Sequence, residues 1–181
     1  MTGSRVEKIT APGVLSDGTL RGGQIAFPAT QIASSDANTL DDYEEGLWTP
    51  GLADTSLDDG TTESQTYTNQ VGGYTKIGNM VFCQGRLDVN SVGALTVGDV
   101  ANIVGLPFTS SSTTNMLSAA VFGFGASLAL NNASETIAGV LLANTAHVSL
   151  RNWDAVTGTS NLLISEFTDG GGFSISFAYR V

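Results

Sequence analysis

The sequence predicts an all-β chain, an antiparallel β-sandwich of jelly-roll type with an extended N-terminal arm, and three observations lead there. Beyond Gly46, apolar side chains recur at every second position wherever a period is clear. Gly-rich and Asn-rich turns interrupt these runs at short intervals, and the first 38 residues show no period at all. Two units follow: an arm over residues 1–38 and a sandwich head domain over 39–181.

The arm places Gly, Pro, Ser or Thr every few residues, and its apolar side chains (Val14, Leu20, Ile25, Phe27, Ile32) never settle into a helical spacing. Gly22-Gly23 and Phe27-Pro28 disfavour a helix there, because proline restricts both itself and the residue before it. A stretch of this composition cannot bury a core of its own, so it is expected to order only against something else.

The strands are then read in chain order. Short runs at 46–51 and 65–71 precede 80–89, where Val81, Cys83, Leu87 and Val89 face one way and Gln84, Arg86 and Asp88 the other. Ile77-Gly78-Asn79 supplies a tight reversal into that strand, since Gly and Asn tolerate positive φ. Further strands are expected at 101–104, 117–124, 137–143, 147–152 and 162–167. Ser91-Val-Gly, Gly105-Leu-Pro, 110–115, Asn131-Asn132, Thr157-Gly-Thr-Ser and Asp169-Gly-Gly-Gly read as the punctuation between them. The alternation is clearest at the C-terminus, where Phe173, Ile175, Phe177, Tyr179 and Val181 interleave with Ser174, Ser176, Ala178 and Arg180. Residues 128–140 hold enough Ala and Leu to suggest a helix, but Asn131, Asn132 and the β-branched residues argue against it.

Composition removes several classes of function. A net charge of −10, with only seven Lys and Arg set singly along the chain, leaves no basic stripe for a phosphate backbone, so no nucleic-acid binding is expected. No apolar run approaches the roughly 18 residues of a membrane span, so no membrane insertion is expected. The N-terminus, MTGSRVEK, lacks the apolar segment of a signal peptide, which points to assembly in a cytoplasm. The single cysteine, Cys83, rules out an internal disulfide and reads as a buried small hydrophobe. One histidine, His147, leaves no multi-histidine metal site, and no cofactor is expected.

Carboxylate pairs occur at Asp41/Asp42, Glu44/Glu45 and Asp58/Asp59, yet neighbours on an extended chain point to opposite sides and make poor partners in one site. The acidic run before Gly60 is read either as a solvated, self-repelling segment or as a docking surface for a basic patch. Asp169-Gly-Gly-Gly precedes a strand, not a helix, so it is not a phosphate loop. Asn132-Ala-Ser134 matches a glycosylation acceptor, which has no use without secretion.

Residues 22–30 (GGQIAFPAT) lead into Asn38-Thr-Leu-Asp-Asp-Tyr-Glu-Glu-Gly and Leu47-Trp-Thr-Pro, followed by Val71-Gly-Gly-Tyr-Thr-Lys-Ile-Gly-Asn and Ile103-Val-Gly-Leu-Pro-Phe-Thr. This ordered set resembles the β-rich modules of tailed-bacteriophage tail-fibre and head-fibre proteins, from about Gly22 to Thr109. The resemblance implies a virion structural protein, assembled in the host cytoplasm as a homotrimeric fibre or decoration component. Its arm would dock on capsid, portal or tail proteins and its head would face outward, in reach of host-surface glycans. The reading is of a protein that is not an enzyme. Ile25 and Phe27 on the arm, with Tyr43, Leu47 and Trp48 at its junction with the head, are the candidate contacts with other subunits or virion proteins. Tyr43 and Trp48 either seat the junction against neighbouring subunits or, for Trp48, simply fill the core of the first strand. Trp153, flanked by Arg151, Asn152 and Asp154, either stacks on host sugar or packs over the edge of the core. The rival is a polysaccharide-binding or polysaccharide-degrading domain, which would need acidic residues such as Asp88, Asp154 and Glu166 to converge in a groove. A free lectin-like module is a third reading.

Overall fold

Apart from residues 162–167, the alternating runs are extended in the computed structural model, which describes residues 30, 34, 36, 38–40, 42–55, 63–131 and 134–181. Nearly all of the expected arm, including Ile25 and Phe27, lies outside the described residues. Ten strands follow in order: β1 (Tyr43–Trp48), β2 (Gly51–Ala53), β3 (Thr66–Ile77), β4 (Met80–Ser91), β5 (Asn102–Val104), β6 (Ser118–Leu128), β7 (Thr136–Leu141), β8 (Val148–Ala155), β9 (Gly158–Asn161) and β10 (Phe167–Arg180). The described residues contain no α-helix, and a 3-10 turn spans Ile164–Glu166.

The all-β, antiparallel expectation is met, but the strands join one sheet where two stacked sheets were expected. Its order is β1-β3-β4-β10-β6-β7-β8-β5-β2, with β9 added beside β8, and each pairing is antiparallel. The cause lies at Thr49-Pro50. These two residues separate β1 from β2, so one short run of chain pairs with β3 at one edge of the sheet and with β5 at the other. The sheet must therefore curl into a half-barrel. Seven strand spacings divide β2 from β3 along the sheet, roughly 34 Å if it were flat. Yet the amide of Leu52 donates a hydrogen bond to the hydroxyl of Tyr67 at 2.9 Å.

Curling gathers one face of every long strand around a single core. Val81, Cys83, Leu87 and Val89 from β4 meet Phe173, Ile175, Phe177 and Tyr179 from β10, as their alternation requires, together with Leu52, Ile103, Val148 and Leu150 from the far side. Aromatic rings fill the middle edge to face, with Phe122 and Phe173 at 4.9 Å and Trp48 and Phe177 at 5.8 Å between centroids. The Gly78-Asn79 reversal forms as expected, with Gly78 at φ 56° and Ile77 opposite Met80.

Two expectations give way. Residues 162–167 are not a strand. Leu162 and Ile164 turn into the core and the buried carboxylate of Glu166 accepts a bond from the Leu163 amide at 2.8 Å, which tightens the chain into the 3-10 turn. Asp169-Gly-Gly-Gly is not a loop but the first part of β10. Its glycines serve an irregular crossing: Gly170 has φ 86°, a Cβ on Gly171 would stand 2.8 Å from the Ser127 carbonyl, and one on Gly172 would run into Asp88. The register with β6 shifts twice over this stretch, as bulged strands do.

Candidate functional site: an apolar outer face

Inward alternation on these strands fixes what must point outward. Across the sheet Leu47 lies opposite Gly73, Gly73 opposite Gln84, and Gln84 opposite Ser176. Ser176 in turn lies opposite Val121, Val121 opposite Ala138, and Ala138 opposite Arg151. This row crosses seven strands and carries no charged side chain between Leu47 and Ala138. In the next row Thr75, Phe82 and Ala178 are register partners. A third holds Val71, Arg86 and Ser174.

The face is apolar and largely open to water. Leu47 is 85% exposed, Val121 70%, Val71 63% and Phe82 48%. Between them Gly73, Ser176, Ala178 and Ala119 make a low floor, leaving a shallow trough of about 840 Å³. A second hollow of about 620 Å³ continues over β6 to β8, lined by Ala138, Val140, Arg151 and Trp153.

At the edge of this face stands a fixed polar cluster. Arg86 pairs with Asp88 at 2.5 Å, donates to the Phe124 carbonyl at 3.2 Å and lies 4.4 Å from the centre of the Phe124 ring. Asn69 donates to the same Asp88 at 2.6 Å. Hydrogen bonding from Arg86 lowers the pKa of Asp88 below the ordinary carboxylate value. Phe124 is held at φ 48° with its ring 73% exposed.

The acidic junction turns out to be engaged from within. Asp42 is buried and ion-paired with Lys76, whose ammonium lies 5.7 Å from the Phe108 ring centre. Glu44 accepts a bond from the Tyr74 hydroxyl and Glu45 one from Tyr43, so the two neighbouring carboxylates do point to opposite sides. Those bonds raise the pKa of both tyrosines, Tyr74 to about 12. Asp41, Asp58 and Asp59 lie outside the described residues.

Of the residues singled out in the sequence, Leu47 stands on the apolar face and Tyr43 is 41% exposed beside it. Trp48 points the other way. Only 5% exposed, it donates from Nε1 to the Gln84 carbonyl at 3.1 Å, which is the core reading of that residue. Trp153 is 57% exposed on the outer face, opposite Thr136 and Thr159. Phe82 and Val121 were not singled out. The signal was available in the outward parity of both, but Val81-Phe82-Cys83 reads as an unbroken apolar run and hides it.

No convergence of carboxylates accompanies the face. Asp88 on β4 and Asp154 on β8 are four strand spacings apart, roughly 19 Å measured along the sheet. Glu166 is 3% exposed and held by Asn152 at 2.8 Å, by Asn131 at 3.1 Å and by the Leu163 amide. Among the described residues no group of three or more His, Cys, Asp or Glu stands together as a metal site. His147 is half-buried just ahead of β8. No helix of the described residues is long and apolar enough to cross a membrane.

No family model matches the sequence, and no curated protein does either. Among solved structures the fold is similar to that of the Dettilon tailspike protein, with a TM-score of 0.60 and 18% identity. The match covers 76% of this chain and 24% of that one, so the chain spans a minor part of the tailspike's length. At this identity the likeness is one of fold.

Proposed function

We propose that this protein is a bacteriophage virion structural component, a homotrimeric fibre or decoration subunit whose β-rich head projects from the particle and whose leading residues 1–38 attach it to capsid, portal or tail proteins. The observation that carries the reading is the curled antiparallel sheet, which is similar in fold to a tailspike protein and leaves Leu47, Val121, Val71 and Phe82 open on its outer face. The role is mechanical and adhesive, without catalysis. Of the carboxylates named for a polysaccharide hydrolase, Asp88 is engaged by Arg86, Asp154 by Ser160 and Glu166 by two asparagines.

Host-surface contact falls to the exposed side of the head, where Trp153 offers a stacking face beside Arg151. Particles lacking the protein test the role. Loss of adsorption with heat resistance intact marks a fibre, loss of heat resistance with adsorption intact marks a decoration protein, and no change in either rejects both. Release of reducing sugar from host capsule by the purified chain would reject the non-catalytic reading.

A further inference from the structure

The curl of the sheet brings β2, at one edge, against the start of β3 near the other, and most of what bridges this seam is neutral. The Tyr67 hydroxyl accepts the Leu52 amide at 2.9 Å, and Nε2 of Gln65 donates to the Leu52 carbonyl at 3.0 Å. A third pair is acidic on both sides. Asp54, directly after β2, is wholly buried, and its Oδ2 accepts the Thr96 amide at 2.8 Å. Glu63, just ahead of β3, is half-buried with its carboxyl within hydrogen-bond reach of Asp54. Its Oε2 is shut off from water and meets no donor among the described residues. We infer that Asp54 and Glu63 share one proton and form a pH-sensitive clasp across this seam, closed in mild acid and loosened as the pH rises.

Both sides of the clasp are tied to one loop, the connection between β4 and β5. Thr55, beside Asp54, accepts the Val100 amide on its Oγ1 at 3.1 Å, and the Glu63 carbonyl accepts the Ala94 amide at 2.7 Å. The carboxyls are thus held together by their surroundings, and ionising both sets two negative charges against each other. The described cations are placed elsewhere. Lys76 is held by Asp42, Arg86 by Asp88 and Arg151 by Asn161, while Arg180 ends β10 opposite Met80. Asp99, on the same loop, is near enough to add a further negative charge, Tyr67 is engaged with Leu52, and Asp169 of β10 accepts the Val92 amide at 3.2 Å. Burial, the charge of Asp54, its hydrogen bond and the charge of Asp99 all raise the pKa of Glu63 above the ordinary carboxylate value. A carboxyl raised by folding contributes stability that is whole below its unfolded value near pH 4.5 and is lost as pH climbs through the folded value. Asp88, lowered by Arg86, runs the other way and loses its contribution as pH falls.

Amide hydrogen exchange of the full chain, followed by NMR and corrected for the intrinsic effect of pH, is the test. The reporters are Leu52, Ala94 and Thr96, whose amides are bonded across or beside the seam. Amides of β4 and β10 serve as references, because acid also relieves the general repulsion of a chain with net charge −10. Protection of the reporters relative to the references is expected to fall at least about threefold from pH 5 to pH 8. Glu63→Gln offers an N–H to Asp54 at every pH and is expected to abolish that fall. Should this variant fail to fold, Asp54→Asn replaces it with the same expectation, since its amide can donate to Glu63 and still accept from Thr96. Equal relative protection of the native reporters at both pH values overturns the inference, and so does an undiminished fall in the folded variant. Restoration of native protection at pH 8 by calcium chloride would assign the pair to a bound cation and overturn the shared proton.

Discussion

The indole of Trp48 lies directly over Gly72, leaving no room for even one methyl group at that position. The contact ties the first strand to the third, because Trp48 and Gly72 are also register partners across the β1 to β3 ladder. Gly72→Ala is therefore expected to destabilise the fold by about 1–3 kcal/mol through overpacking. Gly73→Ala is expected to change stability by less than about 0.5 kcal/mol, since a Cβ there would meet nothing nearer than the Gly46 carbonyl at 3.8 Å. Urea unfolding of the two variants checks the contrast. Equal losses would contradict the placement of the indole.

The buried pair of Lys76 and Asp42 anchors the point where the chain joins the sheet. Lys76→Met removes the cation and leaves a carboxylate 7% exposed without its partner, which costs about 3–5 kcal/mol. A fall in Tm of roughly 6–20 °C is expected by calorimetry. Replacing both residues, as Asp42→Leu with Lys76→Met, is expected to recover most of that loss.

Alkaline pH gives a third check. All four tyrosines, Tyr43, Tyr67, Tyr74 and Tyr179, have their pKa raised: Tyr43 and Tyr74 chiefly by bonds to glutamates, Tyr67 and Tyr179 chiefly by burial. The fold favours the neutral hydroxyls, so this contribution to stability is whole below the unfolded value near pH 10. It is lost as pH rises through the folded values, about 12 for Tyr74. Tyrosinate absorbance in the native protein is expected to develop only above pH 10, and the urea-unfolded chain to titrate lower. A tyrosine ionising below pH 10 in the native state would contradict the assigned contacts.

Cys83 offers a fourth. It is 3% exposed, and burial pushes its thiol up to about 12. At pH 8 a thiol-disulfide reagent is expected to modify it only as fast as the sheet opens, with labelling accelerating through the urea transition. Immediate reaction in native buffer would show that β4 does not face the core at this position.

How much of this was legible beforehand follows from what period-2 alternation can and cannot encode. It marks which face of a strand is buried, so the inward sets of β4 and β10 and the Gly78-Asn79 reversal could be read off directly. It says nothing of how far a sheet continues, because a strand in a curled sheet and one in a sandwich alternate alike. The deciding feature was Pro50, which splits one apparent strand between opposite edges of the sheet. The glycines of 170–172 read as a break because a bulged strand uses the same residue a turn does. The site divides in the same way. Leu47 and Trp48 stand together among the candidate contacts, with the core of the first strand as the other reading of Trp48; consecutive strand residues must face opposite sides, and only Leu47 is outside.

The central claim is that this chain is built into a phage particle, and immunogold electron microscopy of purified particles from the genome that carries it tests that most directly. Label is expected at one fixed place on every particle, retained through density-gradient purification. Unlabelled particles, with all of the protein left in the soluble lysate, would contradict the account.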